Sequence, residues 1–479
     1  MGTTVTLLAI AEVVWVLVLS VWLILERRSP VATLAWIFAL AWLPLLGAAV
    51  YFLVGPRRLR RKRGRYQIVR ARRSEIAAAI GAGQEGMAVR PPVDPRWQEF
   101  MTLVERSGDG PPLRASRLEV LPSGDECFDA MAQAIAGARH HVHLEYYIWE
   151  PDKTGTRLRD LLCEKARSGV HVRFLVDAIG SSALGRRFLR PMRDAGVEVA
   201  WFNPLSLARF RPDLLNFRTH RKIVICDGHV GFTGGINVSD DDSFQVKGKE
   251  AWRDTHVRIE GPPGGWLQVV FLEDWHFATG IAPRHATYFP DRQAACDGPW
   301  VQIVASGPDH DLYAIHKFYF TAIAGARQRV LITTPYFVPD ESILTALVTA
   351  ALRGVDVKVL VSTSGSPRLA FAAARSYFED LVRAGVRIYQ YGPAMLHGKT
   401  LVVDRDVAVV GTANMDNRSF RLNFEVMAAI YDEPTAALLA EQFEADLRHA
   451  KEYRVRDARR TPLVQRMVEA AARLFSPLL

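Results

Sequence analysis

His220, Lys222, Asp227, Gly234, Gly235 and Asn237 follow a spacing that returns as His397, Lys399, Asp404, Gly411, Thr412 and Asn414. Each copy reads His-x-Lys, four residues, Asp, six residues, then Gly-Gly or Gly-Thr, one residue and Asn. Two histidines and two lysines suit phosphodiester chemistry. A neutral imidazole can attack phosphorus while a protonated one hands a proton to the leaving alkoxide. The lysines, with the amides of Asn237 and Asn414, would hold the non-bridging oxygens and offset charge developing in the transition state. A lone histidine beside an apolar strand is usually a core residue, but two copies at equivalent places in a repeat argue for chemistry. The reaction needs no metal or other cofactor, and no His/Cys/Asp cluster with metal-ligand spacing is present.

These residues need strands to hold them. Side chains repeat every two residues along a strand, so His-x-Lys puts both groups on one face. The runs Ile223-Val224-Ile225 and Leu401-Val402-Val403 read as buried central strands. From Leu113 onward short β-branched runs alternate with longer helical stretches, the pattern of an α/β sandwich. The pattern then repeats. Ala136-Gly137-Ala138-Arg139, Gly169-Val170 and Ala195-Gly196-Val197 are echoed by Ala324-Gly325-Ala326-Arg327, Gly354-Val355 and Ala384-Gly385-Val386, at offsets of 185 to 189 residues. One such unit is common punctuation, but three in order imply a duplicated domain. A duplication can bring both motifs together at a pseudo-twofold axis.

The 479 residues, 49% of them hydrophobic, allow a sizeable core. Much of that apolar content lies near the start. Thr3 to Leu25 is apolar except for Glu12, and Val31 to Val54 is uncharged. Each exceeds the roughly 20 residues that span hydrocarbon. The reading is a two-helix transmembrane hairpin over residues 1–56, with spans at about 3–25 and 31–54. A secretory signal would need a positive n-region, which Met1 to Val5 lacks. Glu12 carries an insertion cost of about 2.5 to 3.5 kcal/mol unless it is protonated or faces a partner helix.

Arg57, Arg58, Arg60, Arg61, Lys62, Arg63 and Arg65 follow the second span, which by the positive-inside tendency puts the rest of the chain in the cytoplasm. These seven cations nearly account for the formal charge of +9, so the remainder is close to neutral. That argues against a nucleic-acid partner and fits either a juxtamembrane patch for anionic lipid or a pure topology signal. Residues 57–112 read as this basic connector, 113–290 as the first sandwich domain, and 291–479 as the second with a C-terminal helix. Cys127, Cys163, Cys226 and Cys296 have no paired spacing, as in a reducing compartment.

The two motifs resemble the paired signatures of the phospholipase D superfamily, a likeness covering about residues 113 to 479. It implies duplicated α-β-α sandwich domains forming a pseudo-twofold catalytic unit. It also implies a phosphorylated histidine intermediate, with His220 as nucleophile and His397 as general acid, then base. In that superfamily an acid some thirty positions after each histidine orients the ring. Asp254 follows His220, and Glu425 follows His397. Asp227 and Asp404 are similar to motif acids that brace the fold.

The anchor, Glu145-Tyr146-Tyr147-Ile148-Trp149, Asn216-Phe217-Arg218-Thr219-His220-Arg221-Lys222, Thr334-Pro335-Tyr336-Phe337-Val338-Pro339, Asn414-Met415-Asp416-Asn417-Arg418-Ser419-Phe420 and the end at Leu479 resemble the bacterial cardiolipin synthases within that superfamily. The resemblance implies two phosphatidylglycerol molecules as substrates, cardiolipin and glycerol as products, and the inner membrane of a bacterium as the site. Leu205 to Phe217, with Arg209 and Arg211, reads as a lipid-facing or packing loop. Two rivals remain: a hydrolase or transferase using another alcohol, and an inactive lipid-binding scaffold, against which both complete motifs argue.

Overall fold

The computed structural model describes residues 2–25, 30–43, 47, 94–107, 109–204, 216–281, 288–289, 296–309, 312–365 and 367–479. The Glu12 side chain, the hairpin loop at 26–29, the cations of residues 57–65 and most of the 205–217 loop lie outside that description. The chain divides into two compact units, residues 1–58 with 205–216, and 59–204 with 217–479.

In the first unit, helices α1 (Gly2–Leu25) and α2 (Pro30–Trp42) bury Leu23 and Leu40 against each other, with Leu19, Trp36 and Ile37 alongside. Val13, Leu17, Val21, Phe38 and Trp42 are exposed. Among the described residues no helix is long and apolar enough to cross a membrane. The second span read from the sequence runs to residue 54, past the described part of α2.

The second unit holds two sheets of matching design. One contains β2 (Arg117–Leu121), β3 (His141–Tyr146), β4 (His171–Asp177), β5 (Glu198–Phe202), β6 (Lys222–Cys226), β7 (Val230–Gly234) and β8 (His256–Glu260). The other contains β1 (Leu113–Arg114), β9 (Trp300–Ser306), β10 (Arg329–Thr334), β12 (Asp356–Ser362), β13 (Arg387–Tyr391), β14 (Thr400–Val403), β15 (Val407–Gly411), β17 (Glu425–Tyr431) and β18 (Ala450–Tyr453). Strands β11 (Phe337–Val338) and β16 (Met415–Asp416) pair separately.

The first sheet runs β2-β8-β7-β6-β3-β4-β5, and the second runs β9-β17-β15-β14-β10-β12-β13 between β1 and β18 at its edges. Parallel and antiparallel neighbours fall at the same places in both, since β3-β4-β5 and β10-β12-β13 are the parallel triplets. The duplication read from the sequence is therefore present strand for strand.

Helices start where short polar side chains accept orphan N–H groups. Ser123 and Asp152 cap helices 124–137 and 153–167, and Asp340 and Asp432 cap 341–352 and 433–447. Helix 262–279 is apolar on nearly every side and buried from Pro263 to Phe277, as expected of a helix enclosed in protein. Part of the stretch read as a connector joins the second core: helix 95–106 buries Trp97, Phe100, Met101 and Val104 there, and β1 pairs with β9.

Asp227 and Asp404 turn the chain after β6 and β14 with φ of 52° and 54°. The Asp227 carboxylate accepts the N–H groups of Arg139, His140 and His141 at 2.8–3.0 Å. Asp404 accepts those of Arg327, Gln328 and Arg329, plus an Arg96 guanidinium at 2.9 Å. Both therefore pin the entry into the neighbouring strand, β3 in the first half and β10 in the second. Asp404→Ala leaves several backbone donors unpaired and is expected to cost about 2 to 4 kcal/mol, read as a fall in the thermal unfolding midpoint. An unchanged midpoint would contradict the bracing role.

Candidate active site

His220 and His397 lie two and three residues before β6 and β14. Short parallel bridges pair Thr219 with Phe424 and Arg253 with Leu396. The His220 N–H donates to the Phe424 carbonyl at 2.9 Å, and the His397 N–H to the Arg253 carbonyl at 2.7 Å. Each histidine backbone is thus tied to the residue immediately before the acid of the other half.

The side chains follow the same exchange. His220 Nδ1 lies 3.0 Å from Glu425 Oε2, and His397 Nδ1 lies 2.7 Å from Asp254 Oδ2. The acid that follows each histidine in sequence serves the other histidine. With Nδ1 engaged by a carboxylate, Nε2 is the ring nitrogen left for chemistry.

Lys222 and Lys399 are buried, and each Nζ donates to the carbonyl of the histidine two residues earlier. Burial, with Lys399 pressing on it, pulls the Lys222 ammonium down to about 7, and burial pulls Lys399 to about 8. His397 is lowered to about 3 by burial and by Lys399, against the pull of Asp254. Burial also lowers His220, against Glu425. Both imidazoles are therefore neutral at pH 7. Burial works to raise Glu425, but the facing His220, the Thr412 hydroxyl and Lys222 outweigh it and leave the carboxyl at about 2. Asp254 is likewise lowered by Lys399 and His397 against burial.

Asn237 and Asn414 are buried at the ends of the strands that follow each motif acid, and each has a side-chain oxygen with no hydrogen-bond partner. Asp227 and Asp404 sit at the far ends of β6 and β14, about 17 Å along the strand from Lys222 in the first case. The structure does not bring them to the histidines.

The difference between Gly235 and Thr412 at matching motif positions has a steric cause. A Cβ at Gly235 would stand 2.1 Å from Asp254 Oδ1. The matching Thr412 instead donates its hydroxyl to Glu425 at 2.6 Å. The shorter acid approaches its strand end closely enough to require glycine, whereas the longer one leaves room for a hydroxyl.

Three further residues near the histidines had no role assigned from the sequence. Tyr147 meets the His220 ring edge-on at 5.1 Å, and Trp252 lies 5.0 Å from the His397 ring. Tyr147 lies in a largely apolar run that reads as a strand, and Trp252 stands among charged residues with no spacing to mark it. Asp242 is buried with both carboxylate oxygens unpartnered, and burial with Asp254 raises its carboxyl well above the ordinary range. Its only sequence signal was the run Asp240-Asp241-Asp242. Asp242, Asp254 and His397 offer ligand atoms within 4.8 Å of one another, a grouping that could hold a metal ion. The Lys399 ammonium stands 3.7 Å from Asp254 and competes for the same carboxylate.

The sequence model described as "Cardiolipin synthase, PLD-like domain" matches residues 131–257 and 319–447. A Bacillus anthracis protein named cardiolipin synthase 1 is 38% identical over 462 residues, 95% of this chain and 90% of that protein. A Geobacillus protein named cardiolipin synthase is 41% identical over 457 residues, with the same coverage. The chain belongs to the cardiolipin synthase family. A model described as "Phospholipase_D-nuclease N-terminal" matches residues 13–56. In fold, this cardiolipin synthase family member is similar to a phosphatidylserine synthase from Haemophilus influenzae, at TM-score 0.60, 17% identity, 80% of this chain and all of that one.

The exchanged pairing predicts how the family's histidines titrate here. Glu425→Gln removes the group that favours a protonated His220, so His220 should become still less basic while His397 changes little. NMR of selectively labelled histidine reads both rings. A larger shift at His397 would refute the exchange.

Proposed function

We propose that this chain joins two phosphatidylglycerol molecules into cardiolipin and glycerol through a phosphohistidine. The observation that carries the reading is electrostatic. Two buried lysines, one pressing on the other, accompany two imidazoles held neutral and each backed by a carboxylate. An entering phosphodiester anion relieves that repulsion.

His220 Nε2 attacks phosphorus of the first lipid and the bond to the headgroup glycerol oxygen breaks. His397, made more basic by the bound anion, takes up a proton from solvent as the lipid binds and gives it to that oxygen, and glycerol leaves. The headgroup hydroxyl of the second lipid then gives its proton to neutral His397 and attacks phosphorus. The phosphorus–nitrogen bond breaks, cardiolipin forms, and His220 is again neutral. Lys222, Lys399, Asn237 and Asn414 hold the non-bridging oxygens, while Glu425 and Asp254 steady the ring orientation. Bond energy stays in the phosphohistidine, so no nucleotide enters, and none of these steps calls on a metal.

The same reading takes residues 1–56 as a two-span anchor, 57–112 as a basic connector, and 113–290 and 291–479 as the two catalytic halves on the cytoplasmic side of a bacterial inner membrane. The outward Val13, Leu17, Val21, Phe38 and Trp42 support the anchor, as does the N-terminal match at residues 13–56. Lipid substrates that do not leave the bilayer also favour an anchored enzyme.

Full-length protein in detergent, given phosphatidylglycerol and EDTA, is expected to yield cardiolipin and glycerol, and His220→Ala neither. Phosphatidic acid alone would make the protein a hydrolase instead. A second outcome follows from the lysines. Because they lie near 7 and 8, an anion that restores their basicity makes lipid binding take up protons at pH 8. Calorimetry in buffers of different ionisation enthalpy measures the sign, and proton release would count against the reading.

A further inference from the structure

The C-terminal helix Leu463–Arg473 sits on the second half with its amphipathic faces reversed. A surface helix ordinarily turns its apolar stripe toward the protein. Here Leu463, Val464, Met467 and Val468, with Leu474 and Phe475 just beyond, are 49–79% exposed. At about 100° per residue these positions form one continuous face. The inward side is polar. Glu469 is buried and takes the Arg375 guanidinium at 2.7 Å, Ala472 is buried beside it, and Arg473 stacks over Tyr377 at 4.4 Å. The attachment is therefore made by ion pairs and stacking, and the hydrophobic side is left facing water.

A contiguous apolar face of this kind marks an interaction site, and its rim identifies the occupant. Arg456, Arg459 and Arg460 are exposed on or at the end of helix 455–460, which leads into this one, and Arg466 is exposed on its flank. The acids close by are engaged: Asp457 caps helix 455–460, and Glu379 pairs with Arg383 and Arg466. A second copy of the chain meeting this face about a twofold axis would bring two arginine sets together. An anionic bilayer meets both requirements, since lipid takes up the apolar face and its headgroups face the arginines.

We propose that helix 463–473 is an interfacial helix that seats the catalytic unit on an anionic membrane surface, with Leu463, Val464, Met467, Val468, Leu474 and Phe475 below the headgroups. The seat is wired to the active site. The turn after the helix, Ser476–Leu478, accepts Asn417 Nδ2 at its Ser476 carbonyl, and the Leu479 carbonyl accepts the Arg418 N–H at 2.9 Å. Asn417 and Arg418 follow the second motif's Asn414 by three and four residues. Docking the helix thereby orients the edge of the second motif toward the lipid that supplies substrate. The proposal goes beyond the identity of the lipid turned over and stands without it.

The test uses full-length protein carrying Cys296→Ser, because the other three cysteines are buried. An environment-sensitive dye is placed at Met467→Cys or, as a control, at the 72% exposed Leu352→Cys. The protein is reconstituted into vesicles of phosphatidylcholine and phosphatidylserine with brominated acyl chains, so that no proposed substrate is present. Strong quenching at 467 with little at 352 is expected. Equal quenching at both positions would overturn the proposal, as would dye–dye contact at 467 that is independent of bromine and reveals a second copy. A triple variant, Leu463→Ser with Val464→Ser and Met467→Ser, changes only exposed positions and should keep its unfolding midpoint. Its turnover should fall on the order of tenfold on vesicles and stay unchanged in detergent micelles. An equal loss in both would mean that the helix only supports the fold.

Discussion

Each imidazole of the centre takes its carboxylate from the opposite half of the chain, and the backbone repeats the exchange through the bonds from His220 to Phe424 and from His397 to Arg253. Neither half can orient its own histidine. The ring orientation, the free Nε2 atoms and the closeness of the two lysines all depend on this exchange. It also explains why the sheets repeat each other so closely, since a pseudo-twofold arrangement needs matching strand ends on both sides.

The energetics run against stability. Four ionisable groups, Lys222, Lys399, Asp254 and Glu425, are at most 1% exposed. Removing one member of a buried ion pair typically costs about 3 to 5 kcal/mol because its partner stays buried without compensation. The two lysines are held below their ordinary basicity, so the resting site keeps an unfavourable positive field. Asp227 and Asp404 lie at the other ends of the central strands and secure the framework that bears this load.

The symmetry is not complete, and the departures have physical sources. Gly235 makes way for Asp254, while Thr412 supports the longer Glu425. Beyond the first motif's asparagine lies the buried, unpartnered Asp242; beyond the second, Ser419 accepts the Asn414 N–H at 3.1 Å. His397 thus has an additional protonatable neighbour. The second half also recruits helix 95–106 and β1 from before the first half and ends in the reversed helix 463–473.

Short-range regularities were legible in the sequence. Alternation and β-branched runs announced the strands, glycine punctuation announced the repeat, and the doubled His-x-Lys spacing singled out the histidines and lysines, because each of these is written within a few residues. The backbone that Asp227 and Asp404 hold was not legible from spacing, because it lies 86–88 and 75–77 positions earlier in the chain. Nor was partner choice. His220 and Glu425 are 205 positions apart, and His397 and Asp254 are 143 apart. Sequence order put each acid after the other ring, and only the packing of two sheets across their pseudo-twofold decided which carboxylate reaches which imidazole. The same packing set Tyr147 and Trp252 against the two imidazoles. It also decided that helix 463–473 would turn its apolar face to solvent, because periodicity gives a helix two faces and tertiary contacts select the one that is buried.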